Sequence, residues 1–254
     1  LDGGGGNVNQ SSGSYVGWAW DAGSSTVSNT DGSITSSVRA NQTAGFSIVG
    51  WSGDNTNANK TVGHGLNASP EFIILKPRTE ARHWLIWHKA IDNDEAFLFT
   101  TGTAAGSRFG PDAPTSSVFG VYGGQGNRGT TDFIAYCFAP VKNYSQFGVY
   151  TGNGSADGTF VYTGFRPRYI LVKCSHSTSP WSIYDTARGQ NENNVLLEAD
   201  ASTAEQTPSN RQFDLLSNGF KNRSTSFNVN QNGGTYIYAA FAENPFQANG
   251  GLAR

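Results

Sequence analysis

Pro70-Glu71-Phe72-Ile73-Ile74-Leu75-Lys76 returns further along the chain as Pro167-Arg168-Tyr169-Ile170-Leu171-Val172-Lys173, a spacing of 97 residues (70 to 167). At the same spacing Trp84-Leu85-Ile86-Trp87 meets Trp181-Ser182-Ile183-Tyr184. Working outward, Phe46-Ser47-Ile48-Val49 answers Phe147-Gly148-Val149-Tyr150, Gly65-Leu66 answers Gly164-Phe165, and Ala96-Phe97-Leu98 answers Val195-Leu196-Leu197. Each stretch closes on an apolar run, Phe133 to Phe138 in one and Tyr236 to Phe241 in the other. Self-similarity on this scale sets the fold, because each repeat must be one structural unit.

The element type follows from length and composition. The apolar runs are four to seven residues long, rich in Val, Ile, Phe, Tyr and Trp, and bounded by Gly, Asn, Asp or Pro. Such runs are strands, and none sustains the 3.6-residue period of a helix. Strands are expected at 46–51, 72–76, 84–88, 96–100, 118–122 and 133–138 in the first unit. The second unit has them at 147–151, 159–162, 169–173, 181–184, 194–198, 213–216, 226–229 and 236–241. The expected fold is all-β, two tandem β-sandwich repeats of jelly-roll or lectin-like kind. Residues 46–142 form the first repeat and 143–254 the second.

Tyr15-Val16-Gly17-Trp18-Ala19-Trp20 resembles the closing runs, so residues 1–22 are expected to be the last strand of an upstream repeat. Residues 23–45, rich in Ser, Thr, Asn and Gly, are expected as a linker, with an edge strand within Ser33 to Val38. The chain lacks Met and opens Leu1-Asp2-Gly3-Gly4, which suits the C-terminal piece of a longer protein.

Composition narrows the function. The 17 basic and 19 acidic residues nearly balance, so no broad field draws in nucleic acid. No apolar run reaches the roughly 18 residues of a membrane span. Cys137 and Cys174 are too few for a disulfide scaffold and are expected as free, buried thiols.

Enzyme motifs are sparse, and the expectation is a protein without catalytic residues, metal or cofactor. A glycosidase needs two carboxylates about 5–10 Å apart. Asp92, Asp94, Glu95, Glu198 and Asp200 are candidates, but Asn193 and Asn194 replace the Asp94–Glu95 pair in the second unit. The four His show no ligand spacing, and Asp54-Asn55-Thr56-Asn57 is an Asx-rich turn before it is a calcium loop. Aromatic rings and polar loops that could hold a sugar are the better chemistry. The ligand-binding candidates are Trp51, Arg78, Arg82, His83, Trp87 and His176. Trp84 and Trp181 sit at matching places and are expected as framework core, whereas Trp51 could be an exposed platform or a plug over the core.

Longer phrases carry a family resemblance: Tyr15 to Gly23, Val38-Arg39-Ala40-Asn41, Thr61 to Leu66, Tyr150 to Gly158, and Tyr236 to Phe246. They resemble an uncharacterised tandem-repeat domain of tailed-bacteriophage tail-fibre and virion structural proteins. The resemblance implies an extracellular virion location, other virion proteins as partners, and self-assembly as a homo-oligomer, a trimer by analogy with fibres. It implies host-surface glycan attachment, with head decoration or a fibre shaft as the architectural alternative and a polysaccharide-degrading enzyme as a third. No site residue is carried over by it.

Overall fold

The computed structural model describes residues 11–106, 108–189 and 195–243. The chain runs through β1 (Val27–Asn29), β2 (Ser36–Asn41), β3 (Phe46–Ser52), β4 (Lys60–Gly63), β5 (Phe72–Pro77), β6 (Leu85–His88), β7 (Phe97–Leu98) and β8 (Val118–Val121). A single helical turn, α1 (Gly123–Gly126), precedes β9 (Asp132–Phe138). There follow β10 (Ser145–Thr151), β11 (Phe160–Tyr162), β12 (Pro167–Cys174), β13 (Ser182–Asp185), β14 (Leu197–Glu198), β15 (Phe213–Leu216) and β16 (Gly219–Asn222). A second turn, α2 (Phe227–Asn230), leads into β17 (Thr235–Ala242).

The all-β expectation holds: the strands form antiparallel sheets in layers. The first large sheet is ordered β1-β2-β3-β9-β5-β6-β7, and the second β10-β17-β12-β13-β14. From β3 and β10 onward the two orders coincide strand for strand. Two smaller sheets, β4-β8 and β11-β16-β15, complete the architecture.

Alternation along the strands explains the layering, since neighbouring side chains point to opposite faces. Val49, Trp51, Ile73, Leu75, Leu85, Trp87, Phe133 and Ala135 leave one face of the first large sheet and pack with Val62, Phe119 and Val121 of β4-β8. In the second unit Ile170, Val172, Tyr184, Tyr238 and Ala240 meet Val161, Phe213, Leu215 and Phe220 of the three-stranded sheet. The remaining faces of the two large sheets turn toward each other. Phe72 stacks on Phe147 with centroids 5.7 Å apart, and Phe97 meets Trp181 edge-on at 5.4 Å. Lys173, fully buried, donates from Nζ to the carbonyl of Thr101 at 3.0 Å, tying the units together. The central strands β9, β5, β17 and β12 are thus covered on both faces, which is why they read as near-continuous apolar runs.

Several expectations change. Residues 23–45 are not merely a linker: β1 and β2 extend the first large sheet, with Val38 opposite Val49 and Ala40 opposite Ser47. The inward residues Ser36 and Val38 alternate with exposed Ser37 and Arg39, a strand signal hidden by the polar composition. Tyr15 to Trp20 form no strand. Instead Trp20 wedges between the large sheets, 6.0 Å from Phe138, 5.9 Å from Tyr169 and 5.3 Å from Phe241. Ring burial, rather than backbone pairing, holds that segment in place.

The stretch 226–229, expected as a strand, is the turn α2, because the Ser226 hydroxyl accepts from the Asn228 amide and starts a helix. The short strands β4 and β16 were not expected, and 96–100 shrinks to the two residues of β7. Cys137 and Cys174 are free and buried, as expected. The Gly-rich opening 3–6, Asn193, Asn194 and the end of the second unit past 243 lie outside the described residues.

Candidate ligand site

Two of the six residues singled out by sequence are core. Trp51 is buried, stacks on Phe133 at 5.3 Å and donates from Nε1 to the Gly126 carbonyl at 2.8 Å. Tyr150 makes the corresponding bond in the second unit, from its hydroxyl to the Val229 carbonyl at 2.7 Å. Each ring is therefore a plug between a large sheet and a helical turn, and the platform reading of Trp51 is excluded. Trp87 is also buried, within the first sandwich core. Its position on β6 points it at β4-β8, away from any loop.

The Asx-rich loop is a closed structure. Asp54 Oδ1 accepts from the Thr56 amide at 3.0 Å, the Thr56 hydroxyl at 2.6 Å and Asn127 Nδ2 at 2.7 Å. Lys60 Nζ lies 3.0 Å from Asp54 Oδ2. The Thr56 bond first, then Lys60 and Asn127, hold this carboxyl well below the usual carboxylate range. An amide and an ammonium occupy the positions a cation would take. Asn230 repeats the device in the second unit, donating to Asn153 Oδ1 at 3.1 Å, the Ser155 carbonyl at 2.8 Å and the Ser224 carbonyl at 2.6 Å. Among the described residues no cluster of His, Cys, Asp and Glu is arranged to hold a metal.

The two carboxylates weighed in the second unit have structural partners. Glu198 accepts from Arg211 at 2.8 Å, and Asp200 Oδ1 accepts from the Trp181 amide at 2.9 Å. His176, though exposed, accepts at Nδ1 from the Thr235 amide at 3.1 Å and lies against Tyr236. Arg78 is separated from Arg82 and His83, in a groove shared with Arg39, Ser52 and Asp132.

What the structure does bring together is Arg82 and His83 with Lys76, Glu80, Arg108 and Gln125, around an open trough of about 760 Å3. Lys76 and the 78–83 loop come from β5 and its exit, Gln125 from α1, and Arg108 from the segment between β7 and β8. Three cations, Lys76, Arg82 and Arg108, and one carboxylate, Glu80, line the trough. Glu80 is committed: Oε2 accepts from Arg82 at 2.7 Å and Oε1 from the Thr131 hydroxyl at 2.7 Å. Those bonds, the Thr131 one foremost, hold its carboxyl below its ordinary range. Lys76 Nζ donates to the Arg82 carbonyl and sits 5.9 Å over the Trp84 ring, fixing the loop against the strand. Arg108 Nε is buried without a hydrogen-bond partner among the described residues. Sequence reasoning missed Arg108 and Gln125, which lie far from the Trp84 loop along the chain, so only the fold reveals them.

Trp84 was expected in the core beside Trp181. Trp181 is buried, but Trp84 is 38% exposed. It lines a second, apolar cleft between the large sheets with Trp20, Ile48, Ile74, Tyr136 and Tyr169. The residue just before β6 is therefore open, while its counterpart just before β13 is sealed.

Fold and site together define an all-β module of two sandwiches with a basic surface trough. The chain belongs to the DUF7483 family, a domain of unknown function, which it matches over residues 2–245. No curated protein and no solved structure matches it.

Proposed function

We propose that this chain is a non-catalytic virion surface module, two copies of one sandwich unit, that attaches a phage fibre to an anionic host-surface glycan. The duplication is supported by the shared strand order of the large sheets and by the paired plugs Trp51 and Tyr150. The virion setting and assembly as a homo-oligomer rest on the sequence resemblance.

The observation that carries the glycan reading is the trough at Lys76, Arg82, His83 and Arg108, where among the described residues cations outnumber carboxylates. Guanidinium groups bind carboxylates and sulfates through paired, charge-assisted bonds, and Gln125 adds an amide for hydroxyls. Trp84 braces the loop from beneath, with Lys76 Nζ over its ring and Tyr136 stacked on it, so the cations are held in place for an anionic ligand. The frame is common to both units while this trough belongs to the first, as expected of a binding function added to a structural repeat.

The test is binding to arrayed uronate-, sialate- and sulfate-bearing glycans beside neutral ones. Binding to the charged set, weakened about tenfold or more by Arg108→Ala and by added salt, supports the reading. No binding, or binding indifferent to Arg108→Ala, overturns it.

A further inference from the structure

A second surface has no role in this reading and differs between the two units in a telling way. In the first large sheet β3 is an interior strand: β9 pairs with one side and β2 with the other, from Ser37 opposite Gly50 to Asn41 opposite Phe46. Its counterpart β10 pairs with β17 over all seven residues, from Ser145 opposite Phe241 to Thr151 opposite Thr235, and among the described residues ends its sheet there. The cause is in the chain. β3 is preceded by the β1–β2 hairpin, whereas only Ala139 to Tyr144 separate β9 from β10, too few residues for another pair of strands.

The bare edge lacks the usual protections. Exposed edge strands are normally short, bulged, or guarded by Lys or Pro. The other ends of the large sheets obey this: β1 has three residues, and β7 and β14 two each. β10 has seven, Ser145-Gln146-Phe147-Gly148-Val149-Tyr150-Thr151, with no charge, no Pro and no break in its register with β17. Its two ends are capped, the Ser145 amide by the Val141 carbonyl at 2.9 Å and the Thr151 carbonyl by the Thr159 hydroxyl at 2.6 Å, so the open stretch centres on Phe147 to Val149. Val149 is 49% exposed, and beside it on β11 Phe160 is 44% and Tyr162 64% exposed. These residues line a shallow trough of about 680 Å3, walled by β11 on one side and by Lys89 and Ala90 on the other.

We infer that β10 is an assembly edge, which pairs with β10 of a second copy of this chain to join two second large sheets into one continuous sheet. Charge favours a second copy over an unlike partner. Among the described residues the trough's one cation, Lys89, is paired with Glu71 at 2.7 Å, so two identical surfaces meet here without like-charge repulsion. Antiparallel pairing of two identical edges about a two-fold axis satisfies both at once and closes the assembly, whereas an unlike strand leaves the match to chance. Val149, Phe160 and Tyr162 of both copies are then withdrawn from water along the seam, supplementing the backbone bonds.

The inference does not depend on the glycan reading, and a self-association assay without glycan separates the two. Light scattering behind size exclusion, over a wide dilution series, should show a dimer or a multiple of it. Val149→Lys, which places a charge on the edge, should weaken association about tenfold or more. Val27→Lys, on the exposed edge strand β1, should leave it unchanged. Hydrogen exchange on the unaltered protein needs no variant to fold: the amides of Phe147, Val149 and Thr151, which point away from β17, should gain protection as concentration rises. A monomer at every concentration, association indifferent to Val149→Lys, or edge amides equally protected at all dilutions overturns the inference, as does a β10 that pairs only with a different protein.

Discussion

Acidification should unseat His88, and the size of the effect follows from where the ring sits. His88 ends β6 and is buried where the two large sheets meet. Its Nδ1 accepts from the Ala90 amide at 3.1 Å, which leaves the proton on Nε2, 3.3 Å from the Tyr238 carbonyl in the other unit. The Phe72 ring lies 6.3 Å away, Lys89 follows in sequence, and among the described residues no anion is paired with the imidazole. Burial therefore pulls its pKa from 6.5 down to about 4, with the Tyr238 carbonyl opposing and Lys89 assisting.

In the unfolded chain the ring takes a proton near pH 6.5, while in the native protein it stays neutral until about pH 4. Stability contributed by the neutral ring is thus complete above 6.5 and is lost as pH falls through that window. The full span corresponds to about 3 kcal/mol, of which about 2 kcal/mol is gone by pH 5. Urea unfolding of the unaltered protein and of His88→Gln at pH 7, 5.5 and 4.5 measures it. The variant starts less stable but should show the shallower decline, by up to one proton of linkage. Parallel declines in the two proteins would refute the assignment of a neutral, buried His88. His64 adds a smaller loss of the same sign, since burial lowers its pKa too while its Nδ1 accepts from the Leu66 amide.

The other expectations concern the two sandwiches and their seam. Asn230→Ala removes two N–H donors shared among three acceptors and one bond accepted from the Asn153 amide, a loss of about 3 kcal/mol at roughly 1 kcal/mol per bond. Asn127→Ala should cost a similar amount through the Asp54 loop, and thermal unfolding of both variants would show whether the twin devices are equivalent. Trp20→Ala opens the seam where the indole touches Phe138, Tyr169 and Phe241. For a half-buried ring the expected cost is about 2–3 kcal/mol, read as a lower unfolding midpoint; a change under about 0.5 kcal/mol would mean the segment is not part of the fold.

Much of the architecture was legible in the chain. The runs around Phe72 and Tyr169 became β5 and β12, and the closing runs became β9 and β17, the strands at the heart of the large sheets. The Phe46 run was paired with the Phe147 run, but the structural register sets Phe46 opposite Phe138 and Ser145 opposite Phe241, so Ile48 corresponds to Phe147. The two-residue slip preserves the face of every side chain, because the strand period is two. Hence it left the fold expectation intact.

Sequence by itself determined that this chain is all-β, that its apolar runs recur in order, and which residues share a face. Those properties live in short-range alternation and in turn residues, both local. Only the tertiary structure decided which face each layer covers, because central strands are apolar on both sides and alternation cannot tell the sandwich core from the seam. That is why Trp51 and Trp87 proved to be core while Trp84 stayed partly open. The trough likewise needed the fold, since Arg108 and Gln125 reach Arg82 only after the β7–β8 and β8–β9 connections have been laid across the first sandwich. The bare edge of β10 followed from what precedes it in space, a hairpin for β3 and none for β10, and that difference is invisible to any reading of the strand alone.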